Sequence, residues 1–233
     1  FTTTGLPFEM ETVRSNGWGD YGLRPTTAMM VECTINLVNG STLSITDQPN
    51  TDGSLEPEVY RRIGDVFQAM ARLEPFCRGT TSEPYVAVLH SATTHWSKAP
   101  LDGSYQVRES MRGAHKALVE SGYHFDIVNE STLERTIDRY AAVVLPEQTA
   151  LPDSTVDCIR RYVANGGGLL ATDEIGTRNE DNQPRPDTAL ADVLGISLVE
   201  RSPFNLGYLK IDQAFLDGVL KHALPIPIYG QCI

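Results

Sequence analysis

The sequence predicts an α/β fold in which a doubly wound parallel sheet follows a shorter strand–helix–strand–helix segment. Unbroken apolar runs at residues 85–89 and 141–145 are typical of parallel strands that are buried on both faces. The segments between such runs place apolar residues at helical spacing, and Gly122 and Gly166 follow the last helical residues. Strands that alternate with helices in this way indicate a parallel sheet with right-handed crossovers.

Residues 1–80 form the first predicted region, which contains two strand–helix pairs. The strands are expected at residues 6–10 and 42–45, and the helices at residues 26–39 and 56–73. Gly40 ends the first helix, and Pro75 ends the second because proline disfavours a helical residue before it. Two such βα units cannot close a (β/α)8 barrel by themselves, since eight are required.

Residues 81–233 form the second predicted region, which carries the larger sheet. Its strands are expected at residues 85–89, 125–128, 141–145 and 169–172. One helix is expected at residues 105–121, and another begins after an Asp153 N-cap and stops at Gly166. In the less regular tail we expect a helix at residues 189–194 and strands at residues 197–199 and 208–211.

Charge and composition argue against several classes of partner. The formal net charge of −11 would repel both nucleic acid and an anionic membrane surface. No apolar run approaches the roughly 20 residues of a membrane span, and we expect a cytoplasmic protein. The four cysteines form no CxxC pair and the histidines lack metal-ligand spacing, so we expect no metal and no other cofactor. Cys33 and Cys158 fall on predicted helices and are expected in hydrophobic cores.

Polar residues follow the predicted strands of the second region. Ligands of open α/β sheets bind beyond the carboxyl ends of the strands. These ends hold residues 90–96, 129–130, 146–148 and 173–174. The alternative interpretation is that these residues are polar only because loops at strand ends are exposed to solvent. A nucleophile elbow would need a cysteine or serine near Asp173, and the sequence there has neither.

Two glutamates mark the first predicted strand. Glu9 and Glu11 alternate along it, so their side chains point to one face. Glycoside hydrolysis uses paired carboxylates, and the following loop brings Trp18 and Tyr21, whose rings suit a sugar face. The alternative is an exposed acidic strand beside a structural aromatic corner.

The chain also resembles a known family. The runs FEME…NGWGDYGLRP, LVNGSTLSITDQ and DGSLEPEVYRRIGDVF…LEPF look like the last part of a (β/α)8 glycoside hydrolase barrel. They resemble the family 42 β-galactosidases and related hydrolases. The run EPYVAVLHS…AVVLPEQTALPDSTVDCIRRYVANGGGLLATDE is similar to the β-galactosidase trimerisation domain. That domain has a flavodoxin-like fold related to class I glutamine amidotransferases.

The resemblance implies a retaining glycosidase that acts on a carbohydrate and forms a homo-oligomer, with a trimer as one option. It implies that Glu9 is the catalytic nucleophile. Substrate binding is expected at Glu11, Trp18, Asp20, Tyr21, Asp47, His95 and Trp96, the last two walling the active site of a neighbouring subunit. We expect residues 1–80 to be a barrel remnant, the chain to be a fragment, and the chain alone to be inactive. The alternative is a non-catalytic binding or scaffold module with an amidotransferase-like fold.

Overall fold

The computed structural model describes residues 6–17, 21–97, 109–200, 203–204, 206–209 and 225–229. The chain divides into two compact units. The first unit is Phe1–Glu83 and the second unit is Pro84–Ile233.

The first unit has the βαβα order that the sequence predicts. Its elements are β1 (Glu9–Val13), α1 (Thr26–Val38), β2 (Thr42–Thr46) and α2 (Pro57–Cys77). Strands β1 and β2 pair in parallel, from Glu9 opposite Thr42 to Val13 opposite Thr46. One face of this pair packs against the helices, where Leu43 and Ile45 of β2 join a core of Met29, Cys33, Val66 and Met70.

Two boundaries in the first unit differ from the sequence prediction. β1 begins at Glu9 and runs to Val13, whereas the predicted strand ended at Met10. The ladder with β2 sets this register, which local apolar pattern cannot show. α2 continues through Pro75 to Cys77. Proline removes one backbone donor, and this close to the end of the helix the remaining turn still forms.

Within the described residues of the second unit, four strands form a parallel sheet with helices on both faces. Its strands are β3 (Val86–Leu89), β4 (Phe125–Val128), β5 (Ala142–Pro146) and β6 (Gly168–Thr172), in the order β4-β3-β5-β6. Its helices are α3 (Ala92–Ser97), α4 (Glu109–Glu120), α5 (Glu130–Thr136), α6 (Asp153–Ala164) and α7 (Ala191–Leu194), and a 3-10 turn covers Ile137–Arg139. Strands β7 (Leu206–Leu209) and β8 (Ile226–Tyr229) pair antiparallel apart from this sheet.

Alternate residues of the central strands serve two cores. Val86, Val88 and Val144 pack with Met111 of α4. Their neighbours on the opposite face join a larger cluster with α5 and α6, which includes Ala87, Leu89, Val143, Leu145, Leu133 and Ile159. The unbroken apolar runs therefore follow from burial on both faces, as expected.

The second unit also departs from several predictions. Helices α3 and α5 occupy segments that were expected to be strand-end loops. Residues 197–199 form no strand. The first part of the helix predicted at 105–121 and the end of the strand predicted at 208–211 lie outside the described residues. Asp153 is the first residue of α6 and not its N-cap, and its carboxylate accepts a hydrogen bond from Arg185.

The glycine run after α6 ends that helix as predicted. Gly166 adopts a φ of 95°, which is open to glycine and costly for other residues. The Gly167 amide then donates to the Tyr162 carbonyl at 3.0 Å and the Gly166 amide to the Val163 carbonyl at 2.9 Å. These two bonds satisfy carbonyls that the end of the helix would leave unpaired.

Candidate functional site

The two glutamates of β1 lie on the face of the strand pair that turns away from α1. Thr12 donates from its hydroxyl to Glu32 of α1, so the even-numbered face of β1 meets the helix. Glu9 and Glu11 are on the other face and both are exposed. They stand in register with Thr42 and Ser44 of β2. The helix-free face of this sheet is therefore polar and carries two carboxylates.

A buried ion pair joins the segments that follow β1 and β2. The Arg14 guanidinium donates through Nε to Asp47 Oδ1, and each side chain is 5% exposed. Arg14 Nη1 donates to the Tyr21 carbonyl at 2.8 Å, and Nη2 donates to the Gln48 carbonyl at 3.4 Å. Since parallel strands end at the same edge, Arg14 ties together the two loops on the carboxyl side of the sheet.

Tyr21 is held by the same group of side chains. The centre of the Arg14 guanidinium lies 5.8 Å from the centroid of the Tyr21 ring. Gln48 Nε2 donates to the Tyr21 hydroxyl at 3.2 Å. Tyr21 as a whole remains 48% exposed, so its ring is held by these contacts and is still open to a ligand.

The remaining predicted residues of the first unit fall into two groups. Asp47, expected to bind substrate, has its carboxylate engaged by Arg14 and by the Gln48 amide at 2.7 Å. Trp18 and Asp20 lie outside the described residues.

A second charged group lies behind β1, and the sequence analysis missed it. Arg24 donates to both carboxylate oxygens of Glu32, with Nη1 to Oε2 at 3.0 Å, and to the Val13 carbonyl at 3.3 Å. The hydrogen bond from Arg24 lowers the pKa of Glu32, and the hydrogen bond to Glu32 raises the pKa of Arg24. No short spacing in the sequence signals this pair.

In the second unit, a buried polar network joins the carboxyl ends of β3 and β5 to α5. Ser91 is 1% exposed and its hydroxyl donates to Glu130 Oε1 at 2.6 Å. The Ala92 and Thr93 amides donate to the same carboxylate, each at 3.0 Å. The Ser91 amide donates to Gln148 Oε1 at 2.9 Å. Sequence position marked these strand ends as polar, and the structure brings Ser91, Glu130 and Gln148 together.

The Glu130 carboxyl has a lowered pKa despite its burial. Burial acts to raise the pKa of this carboxyl, since it disfavours the charged form. The hydrogen bonds from Ser91 and from backbone amides outweigh it and stabilise the carboxylate. Among the described residues, Glu130 is therefore an anion that hydrogen bonds from Ser91 and backbone amides stabilise.

Three aromatic rings lie beside this network. The ring centroids of His90 and His95 are 5.7 Å apart, and those of His95 and Trp96 are 5.0 Å apart in an edge-to-face arrangement. Trp96 is 74% exposed. The structure thus brings His95 and Trp96, both expected to contact substrate, into one surface group with His90. We call these three residues the aromatic ledge.

Two residues that directly follow strands of this sheet have left-handed backbone angles. Asp173 adopts a φ of 60° and Glu147, after β5, a φ of 53°. Such angles are uncommon for residues with a Cβ. The Glu147 carboxylate accepts a hydrogen bond from Ser110 of α4 at 3.0 Å. Residue 173, where the sequence analysis looked for a nucleophile elbow, is an aspartate and not the cysteine or serine that acyl transfer requires.

Within the described ranges, no three His, Cys, Asp or Glu side chains are grouped so as to hold a metal ion. Among the same residues, none of the helices has both the length and the apolar character to cross a membrane.

Comparisons with known proteins match both units. The family model described as the β-galactosidase trimerisation domain matches residues 85–207. β-Galactosidase BgaA of Clostridium cellulovorans is 26% identical over 124 residues, which are 52% of this chain and 16% of the relative.

Two solved structures share the fold over nearly the whole chain. α-L-Fucosidase isoenzyme 2 of Paenibacillus thiaminolyticus is 24% identical to this chain, with a TM-score of 0.74. The match covers 99% of this chain and 33% of the fucosidase chain. β-Galactosidase of Rahnella sp. R3 is 18% identical to this chain, with a TM-score of 0.74. The match covers 97% of this chain and 36% of the Rahnella chain. The chain thus spans about a third of each solved structure and about a sixth of the curated relative.

Proposed function

Because this chain belongs to the family of the β-galactosidase trimerisation domain, we propose that it is part of a retaining glycoside hydrolase. The family match over residues 85–207 carries this proposal. In it, the first unit contributes to the catalytic barrel and the second unit drives oligomerisation and walls an active site. A scaffold module without catalysis is less well supported, since the fold likeness to two glycosidases spans both units.

The second unit fits a flavodoxin-like fold of the class I amidotransferase type. In chain order its parallel strands lie in the spatial sequence second, first, third, fourth. That is the beginning of the flavodoxin strand order. The aspartate at position 173 argues for a structural use of this fold and against glutaminase activity.

The first unit fits the end of a (β/α)8 barrel, within residues 1–80. Its two strands are parallel, its helices cover one face, and its other face is polar, as a barrel interior with an active site would be. Helix α1 also leaves Val31, Ile35 and Val38 exposed, each more than half. These residues form one stripe at i, i+4 and i+7, where a further barrel element would pack.

In the proposed retaining mechanism, a glutamate of β1 attacks the anomeric carbon of the glycoside and forms a glycosyl-enzyme ester. A second carboxyl group of the complete barrel protonates the leaving oxygen and then activates the water that hydrolyses the ester. The family resemblance favours Glu9 as the nucleophile. The strand bounds favour Glu11, which lies nearer the carboxyl end of β1.

The aromatic side chains would bind the sugar. Tyr21 is exposed yet held by Arg14 and Gln48, and Trp18 and Asp20 belong to the same loop in sequence. Asp47 acts in this scheme by fixing Arg14. The aromatic ledge of the second unit offers a stacking surface, which we assign to the active site of a neighbouring subunit.

The nucleophile is tested in the protein that carries the complete barrel. Glu9→Ala and Glu11→Ala are compared on an aryl β-galactoside, with and without azide. The nucleophile variant loses hydrolysis, and with azide it releases the phenol and forms the glycosyl azide, because azide attacks the anomeric carbon from the space that the missing carboxylate leaves. Full activity in both variants would disprove a β1 nucleophile.

An aryl α-L-fucoside is the second substrate in this assay. The fucosidase structure covers 99% of this chain at 24% identity, against 18% for the Rahnella enzyme. This observation makes an α-L-fucoside the second candidate substrate. Hydrolysis of the fucoside alone would replace β-galactoside as the substrate class and leave the glycosidase proposal standing.

Oligomerisation is tested on the chain itself by size-exclusion chromatography with light scattering. We expect a mass above the 25.6 kDa of the monomer that falls on dilution. A monomer at every concentration would overturn the oligomerisation role.

A further inference from the structure

Helix α3 presents an exposed tryptophan from an anchored first turn. The Ala92 and Thr93 amides and the Ser91 hydroxyl all bond the Glu130 carboxylate of α5. Ser91 also caps the helix, since its Oγ accepts from the Thr94 amide at 2.9 Å. The amides that begin α3 are thus satisfied by a carboxylate from another helix.

Two further anchors reach α3 from the segment after β5. Gln148 Oε1 accepts from the Ser91 amide at 2.9 Å. Thr94 Oγ1 donates to the Ala150 carbonyl at 2.7 Å and accepts from the Ala150 amide at 2.9 Å. A six-residue helix cannot hold itself in water, so these tertiary contacts set its direction.

We propose that Glu130 is a positioning residue that holds α3 so that Trp96 stands in a fixed orientation for stacking on carbohydrate. The inference rests on the proposed function in one respect, namely that the aromatic ledge contacts the sugar. Glu130 does not touch the ligand and acts through the first turn of α3. A fixed ring binds more tightly than a mobile one, because less side-chain and segment entropy is lost on binding.

A matched control separates positioning from general stability. Glu134 lies one turn further along α5 and accepts from the Ser154 hydroxyl at 3.0 Å and the Thr155 hydroxyl at 2.7 Å. It therefore joins α5 to α6 as Glu130 joins α5 to α3. Glu134→Gln removes the same formal charge from the same helix without touching α3.

The readout is the time-resolved fluorescence anisotropy of Trp96. The chain has two tryptophans, so Trp18→Phe makes Trp96 the only one. In this background we compare Glu130→Gln, Glu130→Asp and Glu134→Gln, with circular dichroism as the measure of folding. We expect Glu130→Gln to lose the slow component of the Trp96 anisotropy decay and Glu134→Gln to retain it. Glu130→Asp should restore part of it, because its carboxylate still accepts from the α3 amides.

Unchanged Trp96 anisotropy in Glu130→Gln, or an equal loss in Glu134→Gln, would overturn the positioning role. If Glu130→Gln does not fold, Glu130→Asp serves in its place, since the shorter side chain keeps the charge and cannot bond Ser91, Ala92 and Thr93 together as Glu130 does. A slow component equal to that of the parent would then overturn the proposal, and a smaller one would support it.

The anisotropy needs no sugar, so it is independent of the proposed function. The contact between the aromatic ledge and the sugar is tested separately, by Trp96→Ala in the complete enzyme. An unchanged KM there would refute sugar contact and leave the anisotropy result intact.

Discussion

The buried side chain of Arg14 holds together the two loops at the carboxyl edge of the first unit's sheet. Its guanidinium binds Asp47, the Tyr21 carbonyl and the Gln48 carbonyl. The family resemblance led us to expect Asp47 in substrate binding, but the sequence could not reveal a partner 33 positions away. The structure therefore gives Asp47 a role in holding loops, which a stability measurement can separate from contact with substrate.

We predict that Asp47→Asn lowers the free energy of unfolding of the first unit by about 3 kcal/mol. Removing one member of a buried ion pair leaves the other charge poorly compensated. Urea denaturation of the protein that carries the complete barrel measures the loss. Asp65→Asn breaks the exposed pair with Arg61 and should change little. If Asp47→Asn and the parent protein are equally stable, the ion pair between Arg14 and Asp47 does not stabilise the first unit.

Gly167 gives a second prediction at this scale. A Cβ on Gly167 would lie 2.2 Å from Tyr162 Cζ. Gly167→Ala must therefore displace a core ring whose hydroxyl donates to the Tyr140 carbonyl. We expect a loss of about 1–3 kcal/mol by thermal or urea unfolding. Gly113→Ala, inside α4 with no atom within 4 Å, should instead stabilise by roughly 0.5–1 kcal/mol.

Among the secondary-structure elements, the sequence predicts the long ones and misses the short ones. Helices α2 and α6 show a repeated apolar face, and their existence follows from it. Helices α3 and α5 have six and seven residues and too few apolar positions for a periodic signal. Their caps were the available signal, since Ser91 precedes Thr94 and Asn129 precedes Thr132 by three residues.

The contact between α3 and α5 makes the second unit sensitive to acid. The folded-state pKa of the Glu130 carboxyl is below its ordinary value of 4.5. Its ionisation therefore stabilises the fold above that value, and this contribution disappears as the pH falls through the folded-state pKa. We expect the unfolding free energies of the parent and Glu130→Gln to differ near neutral pH and to converge as the pH falls through the folded-state pKa of Glu130.

Urea titrations across this range check the convergence. A gap between the two proteins that stays constant with pH would show that the carboxylate charge is not what Glu130 contributes.

At the scale of the whole molecule, the two units differ in how completely helices cover their sheets. The sheet of the second unit has helices on both faces, whereas the two strands of the first unit have helices on one. The sequence predicted both patterns and, through family resemblance, the trimerisation domain. It could not predict the ladder register that moved β1, because strand pairing is a long-range property.

We predict that residues 84–233 fold as an independent cooperative unit and that residues 1–83 do not. Two strands with one covered face do not form a stable sheet alone. Thermal melts by circular dichroism on the separate segments test this. A cooperative melt of residues 1–83 would mean that the first unit needs no further barrel elements for stability.

The Glu130 carboxylate has one more consequence for the second unit. It fills, as an internal ligand, the crevice beyond β3 and β5 where open α/β proteins receive external ones. Glu130→Ala would turn that occupied crevice into a receptor for small carboxylates. Formate should then raise the melting temperature of this variant and leave that of the parent unchanged. In this chain, the place where such folds bind a ligand is part of the framework, and one substitution is expected to reopen it.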